Sequence, residues 1–319
     1  MSRLLLLPAV LVLLAGCDTA STVADASVRA ADAGPARQVD GRNLKPDAEG
    51  LAWARSRTSV AATVDALLDV LAGAPPSVVA VVDHAANAAR VGLTLPPTQV
   101  VVFGAPALGT PLMQRNQTAG IDLPQKILVY ENAAGQRFAA YNTTDYLADR
   151  HGLDGVATLP QIAGALETFT EAVTIGQVRR EASAVALGAG LVTVPSAVSV
   201  AQTVANLEAA IASNPALSVA FVLDHAANAA SAGLTLRPTT VVAFGNPRLG
   251  TPLMQAEPTV GIDLPQKMLA WEDADGHVFL TYNDPFYVAA RHGLTGQDER
   301  LQTLADALAG LAAAATSAP

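Results

Sequence analysis

Histidine and lysine are the scarce chemistry-bearing residues of this 319-residue chain, five of one and three of the other, and most of them come in pairs. His84 and His225 stand in identical Asp-His-Ala-Ala-Asn-Ala-Ala segments, and His151 and His292 in identical Arg-His-Gly-Leu segments, each pair 141 positions apart. Only His277 has no counterpart. Apart from Lys45 the lysines are Lys126 and Lys267, which occupy one matched position in a chain that elsewhere writes arginine. Lysine is a compact cation whose pKa burial can move, so its retention there suits an acid–base group or an anion contact. Tyr141 and Tyr282 complete the set of candidate ligand-binding residues. Each has an ordinary alternative. Asp83 and Asp224 look like helix caps, and a histidine on the first helical turn is disfavoured as imidazolium by the macrodipole and is satisfied by a backbone hydrogen bond. Lys126 can pair with Asp122 or Glu131, and Lys267 with Asp263.

Several chemistries are excluded or unsupported. Gly104 and Gly109 have phosphate-loop spacing, but Thr110-Pro111 stands where Lys-Ser/Thr is required. A weaker anion cradle at the helix after Thr110 competes with plain turn geometry. There is no Gly-x-Ser-x-Gly elbow and no His-Glu-x-x-His helix, so serine-hydrolase and zincin readings have no support. The single cysteine allows neither an intramolecular disulfide nor a thiolate zinc cage, and no metal-ligand set is expected. A formal charge of −9 sets most of the surface against a nucleic-acid backbone. No cofactor is named by these residues.

The elements that must position the pairs repeat with them. The 141-residue offset also maps Phe103-Gly104 onto Phe244-Gly245, Leu108 to Gln114 onto Leu249 to Gln255, and Gly120 to Lys126 onto Gly261 to Lys267. A unit of about 120 residues is a domain rather than a solenoid repeat. In each unit a strand at 51–58 precedes a helix whose apolar stripe is Val60, Val64, Leu67 and Leu71, repeated as Val200, Val204, Leu207 and Ile211. Strand 78–82 leads through Asp83 into a short Ala-rich helix ending at Gly92. Strand 100–103 is followed by a turn, and Thr110-Pro111 predicts the start of another helix. Runs 127–131 and 137–142 predict a hairpin, a short helix spans 146–151, and amphipathic helices lie at 159–169 and 301–311. Hairpin-joined strands with helices over one face make an α+β fold. The expected domains are 50–175 and 190–315, joined by a linker at 176–189, and the duplicated surface predicts an intramolecular pseudo-dimer.

The strand ending in Asp-His, then Phe-Gly-Asn-Pro, Gly-Thr-Pro-Leu-Met, Asp-Leu-Pro with a following Lys, and Tyr-Asn resembles the domain-of-unknown-function 302 family, once per repeat. The resemblance implies two tandem TATA-binding-protein-like α+β domains, each a helix-covered, mainly antiparallel sheet. It implies no activity. The first repeat departs from the pattern in having Ala105 where the second has Asn246.

Residues 1–16 have the form of an export signal, with Arg3 before an apolar run from Leu4 to Leu14 that is too short to span a bilayer. Leu14-Ala15-Gly16-Cys17 resembles a bacterial lipobox, which makes Cys17 the expected lipid anchor. Residues 17–49 carry almost no large apolar side chain and predict a flexible tether. The expected location is the bacterial cell envelope, facing the periplasm and held to a membrane by lipid, with Asp18 favouring the inner membrane. Three functions fit: a binder of a small-molecule ligand, an enzyme using Lys126 and His84 as an acid–base pair, and a structural or partner-binding module.

Overall fold

Alternation of apolar residues decides the strands, and the two repeats use it twice over because both faces of each sheet are covered. The computed structural model describes residues 45–318, and the expected signal peptide, Cys17 and the tether up to residue 44 lie outside them. Near the end of that expected tether, Pro46 and Ala48 are buried rather than free.

The first repeat comprises β1 (Leu51–Ser56), α1 (Val60–Ala72), β2 (Ser77–Asp83), α2 (His84–Arg90), β3 (Thr98–Gly104), α3 (Pro106–Arg115), a 3₁₀ turn at Gln117–Ile121, β4 (Gln125–Glu131), β5 (Arg137–Asn142), α4 (Thr144–His151) and α5 (Leu159–Val173). Next comes β6 (Ile175–Arg180). The second repeat follows the same order as β7 (Leu191–Ser196), α6 (Val200–Ala212), β8 (Ser218–Asp224), α7 (His225–Ser231), β9 (Thr239–Gly245), α8 (Pro247–Ala256), a 3₁₀ turn at Pro258–Ile262, β10 (Gln266–Glu272), β11 (Val278–Asn283), α9 (Pro285–Arg291) and α10 (Asp298–Thr316). The sheets are antiparallel, ordered β2-β3-β4-β5-β1-β6 and β7-β11-β10-β9-β8. The first therefore carries one strand more. Residues 176–189, expected as a linker, begin inside that strand, where Ala52 pairs with Arg180.

A second correction concerns α3 and α8. Thr110-Pro111 does not open a helix, because the helix starts one turn earlier with Pro106 or Pro247 in its first turn and carries Pro111 or Pro252 inside. Asn246 caps α8 by accepting from the Arg248 N–H at 3.0 Å. Ala105 offers α3 no such bond, so the difference between the repeats is a helix cap.

Val101, Phe103, Ile127 and Val129 face the helices, where they pack with Val64, Leu67, Leu166 and Phe169. Their neighbours Val100, Val102 and Leu128 point to the opposite face, which a monomeric α+β domain would leave to water. Here Ile262, from the 3₁₀ turn of the second repeat, packs on that face, and Ile121 returns the contact against Val241 and Leu269. The exchange needs glycine at its tightest points: a Cβ on Gly120 would lie 3.0 Å from Leu269 Cδ1, and one on Gly261 would lie 3.0 Å from Leu128 Cδ1.

Candidate functional site

Two cavities are each built from both repeats. One, of 570 Å³, has walls from α6 and α10 and a floor from Phe244-Gly245, Gly250-Thr251 and the Leu264-Pro265-Gln266 segment. The other, of 460 Å³, has the corresponding floor from Phe103-Gly104, Gly109-Thr110 and Leu123-Pro124-Gln125, with α5 as its wall. Matching motifs thus line matching cavities. What closes them comes from the other repeat: His84 and Asn87 enter the cavity of the second repeat, and His225 and Asn228 that of the first.

Local sequence sets both histidines in place. Asp83 and Asp224 cap α2 and α7 by accepting from Ala86 N and Ala227 N, which makes His84 and His225 the first helical residues. Their rings are buried. Desolvation outweighs the neighbouring carbonyl oxygens and Asp83 or Asp224, and lowers each imidazole to about 4, so both are neutral at pH 7. Burial, not the helix end, is the main cause of this lowering. His225 Nε2 donates to the Gly120 carbonyl at 3.1 Å, whereas His84 faces the corresponding Gly261 carbonyl without closing the bond. Thr251 Oγ1 in one cavity, and Thr110 Oγ1 and Gln125 Nε2 in the other, are likewise buried without a partner among the described residues.

Lys126, Lys267, His151 and His292 lie elsewhere. They belong to a buried polar cluster in which the arginine and histidine hydrogen bonds of one repeat are matched by those of the other. Arg150 donates to Asp122 Oδ2 at 2.7 Å, to Asn283 Oδ1 at 2.8 Å and to the Ala189 carbonyl at 2.9 Å. Arg291 donates to Asp263 Oδ2 at 2.8 Å, to Asn142 Oδ1 at 2.8 Å and to the Glu49 carbonyl at 3.0 Å. His151 and His292 sit between Asp122 or Asp263 and the hydroxyl of Thr118 or Thr259. Where the repeats meet, the Tyr146 and Tyr287 hydroxyls are 3.3 Å apart. Gly50 and Gly190 stand against these rings at φ +66° and +65°, and a Cβ on either would clash with Tyr146 or Tyr287.

Electrostatics in this cluster are strongly coupled. Burial pushes Asp122 and Asp263 up, yet the guanidinium of Arg150 or Arg291 and the adjoining histidine outweigh it and hold both carboxyls well below the usual range. Burial also lowers His151 and His292, outweighing the raising effect of Asp122 or Asp263. Lys267 is pushed down to about 7, by burial first and then by Lys126. The ion pairs expected for the lysines do not form. Arg150 and His151 occupy Asp122, Arg137 takes Glu131, and Lys126 Nζ has no hydrogen-bond partner among the described residues. Lys267 Nζ reaches only the Asp263 backbone carbonyl, at 3.3 Å. Two carboxylates therefore stand among four basic side chains.

The candidate set of His, Lys and Tyr residues is thus divided. His84 and His225 line the cavities, the lysines and the other two histidines fill the buried cluster, and Tyr141 and Tyr282 pack in the helix-side cores. Burial raises Tyr141 to about 12. Reading the sequence for chemistry passed over Asn142, Asn283, Tyr146, Tyr287, Thr118 and Thr259, although all of them recur at the common offset. Asp273, Asp275 and His277 offer ligand atoms within 4.8 Å of one another in the β10–β11 turn, but Asp273 accepting from the Asp275 and His277 N–H groups accounts for that geometry.

Relatives add a family but no activity. Over 108 residues, 34% of this chain, it is 50% identical to the Fluoride-specific ion channel FluC 1 of Brucella suis biovar 1 (strain 1330), covering 42% of that protein. The match to FluC 2 of Brucella melitensis biotype 1 is also 50% identical and covers 40% of that protein, so the chain spans about two fifths of these curated relatives. No helix among the described residues is long and apolar enough to cross a membrane. A crystal structure of an uncharacterized conserved DUF302 protein from Bacillus stearothermophilus aligns with 40% of this chain and 98% of that one, at 16% identity and a TM-score of 0.37. The family described as Domain of unknown function DUF302 matches twice, at residues 53–172 and 192–311, and with both repeats accounted for the chain belongs to that family.

Proposed function

We propose that the chain is a small-molecule-binding protein of the bacterial cell envelope, held to the membrane through lipid at Cys17, whose two repeats act as an intramolecular dimer. The observation that carries the binding reading is the reciprocal construction of the cavities, each floored by one repeat's Gly/Pro motifs and closed by the other repeat's histidine. Cavities of this size with a few convergent polar groups are the usual form of a ligand site. The acid–base reading has less support, because His84 lines a cavity and neither lysine does. Native mass spectrometry of the full chain isolated from its own cell envelope tests the proposal. One or two retained small molecules are expected, with one lost in Ala165→Trp and the other in Ala307→Trp, which narrow the α5 and α10 walls; a ligand-free protein would refute it. Cys17→Ser should leave the membrane fraction, and continued membrane residence would sink the anchor.

A second reading takes fluoride from the activity that the names of the Brucella relatives give them. What favours it is the excess of basic side chains around Lys126, whose ammonium has no hydrogen-bond partner among the described residues. A ¹⁹F NMR titration of sodium fluoride should then show a bound species that Lys126→Met abolishes.

A further inference from the structure

Both cavities share a property that the protein as a whole lacks. Asp, Glu, Lys and Arg make up 15% of the chain, yet none of them lines either cavity. The ionisable side chains present are His84 and His225, both neutral above about pH 4. The walls are aliphatic and aromatic: Leu304, Leu308, Met254 and Phe244 in one, and Leu166, Ile162, Met113 and Phe103 in the other. An ionised ligand would leave water and find no countercharge, which is unfavourable in either sign.

The remaining polarity is uncharged, and part of it is unspent. Thr251 Oγ1 in the larger cavity, and Thr110 Oγ1 and Gln125 Nε2 in the smaller, are buried without protein partners among the described residues. Thr110 and Thr251 are each 1% exposed, and a buried hydroxyl left unbonded is costly unless something else completes it. The threonines occupy the same position in the two repeats, so both cavities offer the same group.

Resting on the ligand-binding reading above, we propose that the occupant is an uncharged, largely apolar small molecule carrying a hydroxyl or carbonyl oxygen, held at that oxygen by Thr110 or Thr251 and packed by the apolar wall. The two cavities bind the same class, with the larger accepting the bulkier member.

Three probes of one shape and different charge test this on the full chain at pH 7: 2-naphthol, 2-naphthoate and 2-naphthylmethylammonium, followed by their own fluorescence. Naphthol is expected to bind to two sites, with both ions at least about tenfold weaker. The isosteric Thr110→Val and Thr251→Val variants should each weaken naphthol several-fold at one site, and Ala165→Trp and Ala307→Trp should each remove one. Either ion binding as well as naphthol, with loss in the tryptophan variants, would keep the cavities as binding sites and overturn the uncharged class. Naphthol binding that neither threonine variant weakens would overturn the oxygen anchor. No binding of any probe, or binding indifferent to the tryptophan variants, would overturn the cavity reading itself. Displacement of naphthol by a peptide of residues 18–44 would show that the chain's own segment is the occupant and overturn the small-molecule class.

Discussion

Replacing Lys267 with methionine should stabilise the protein at neutral pH and flatten its response to alkali. Burial, reinforced by Lys126 and Arg150 and opposed by Asp263 and Asp122, brings the Lys267 ammonium to about 7 in the folded state, against 10.5 in an ordinary setting. Between these values the unfolded chain holds a proton that the folded one has released, so stability rises with pH by up to about 1.4 kcal/mol per pH unit. From pH 7 to about pH 9.5 that amounts to about 3 kcal/mol, and at pH 7 the buried amine still costs the fold about 4 kcal/mol. Methionine keeps the apolar stem and removes the charge, losing only the 3.3 Å bond to the Asp263 carbonyl. Replacing buried charges by apolar groups of similar volume is neutral or stabilising by about 1–4 kcal/mol, and that is the gain expected at pH 7, dwindling toward pH 10. Urea denaturation at pH 7, 8.25 and 9.5 reads it, with Lys126→Met as the companion that should shallow the wild-type slope by removing the repulsion. A Lys267→Met protein that is weaker than wild type at pH 7, or that keeps the full alkaline rise, would refute the reasoning.

Acid should act through the cavity histidines. His84 and His225, lowered from 6.5 to about 4 by burial, are a liability as pH falls between those values, because only the unfolded chain takes up the proton; about 3 kcal/mol each is lost by pH 4. His84→Gln with His225→Gln should shrink that limb in a urea-midpoint series, leaving the contributions of His151 and His292, and an unchanged limb would contradict the assignment. Helix capping gives a reciprocal pair: Asn246→Ala should lower stability by about 1 kcal/mol and Ala105→Asn raise it by a similar amount, and equal thermal midpoints for all three proteins would count against the cap.

Local signals made much of the fold legible. The offset that pairs His84 with His225 also pairs their capping aspartates, and a cap depends on residues within one turn, so both short helices were readable from sequence. The stripes Val60–Val64–Leu67–Leu71 and Val200–Val204–Leu207–Ile211 were readable for the same reason, since a helix folds its own periodicity onto one face. Thr110-Pro111 misled because it satisfies a start signal inside a helix that Pro106 had already begun.

What only the tertiary structure decided are the relations across the duplication. Nothing local to Gly120 or Ile121 says that they seat on Leu269, nor that Arg150 reaches Asn283, because those partners lie more than a hundred residues away. The sequence by itself determined that Lys126, Lys267 and four histidines recur in pairs, and hence that each repeat presents the same groups. It could not divide them between an open cavity and a sealed cluster. Matched spacing reports shared ancestry and backbone position, whereas burial and the choice of neighbour depend on how the second copy closes over the first.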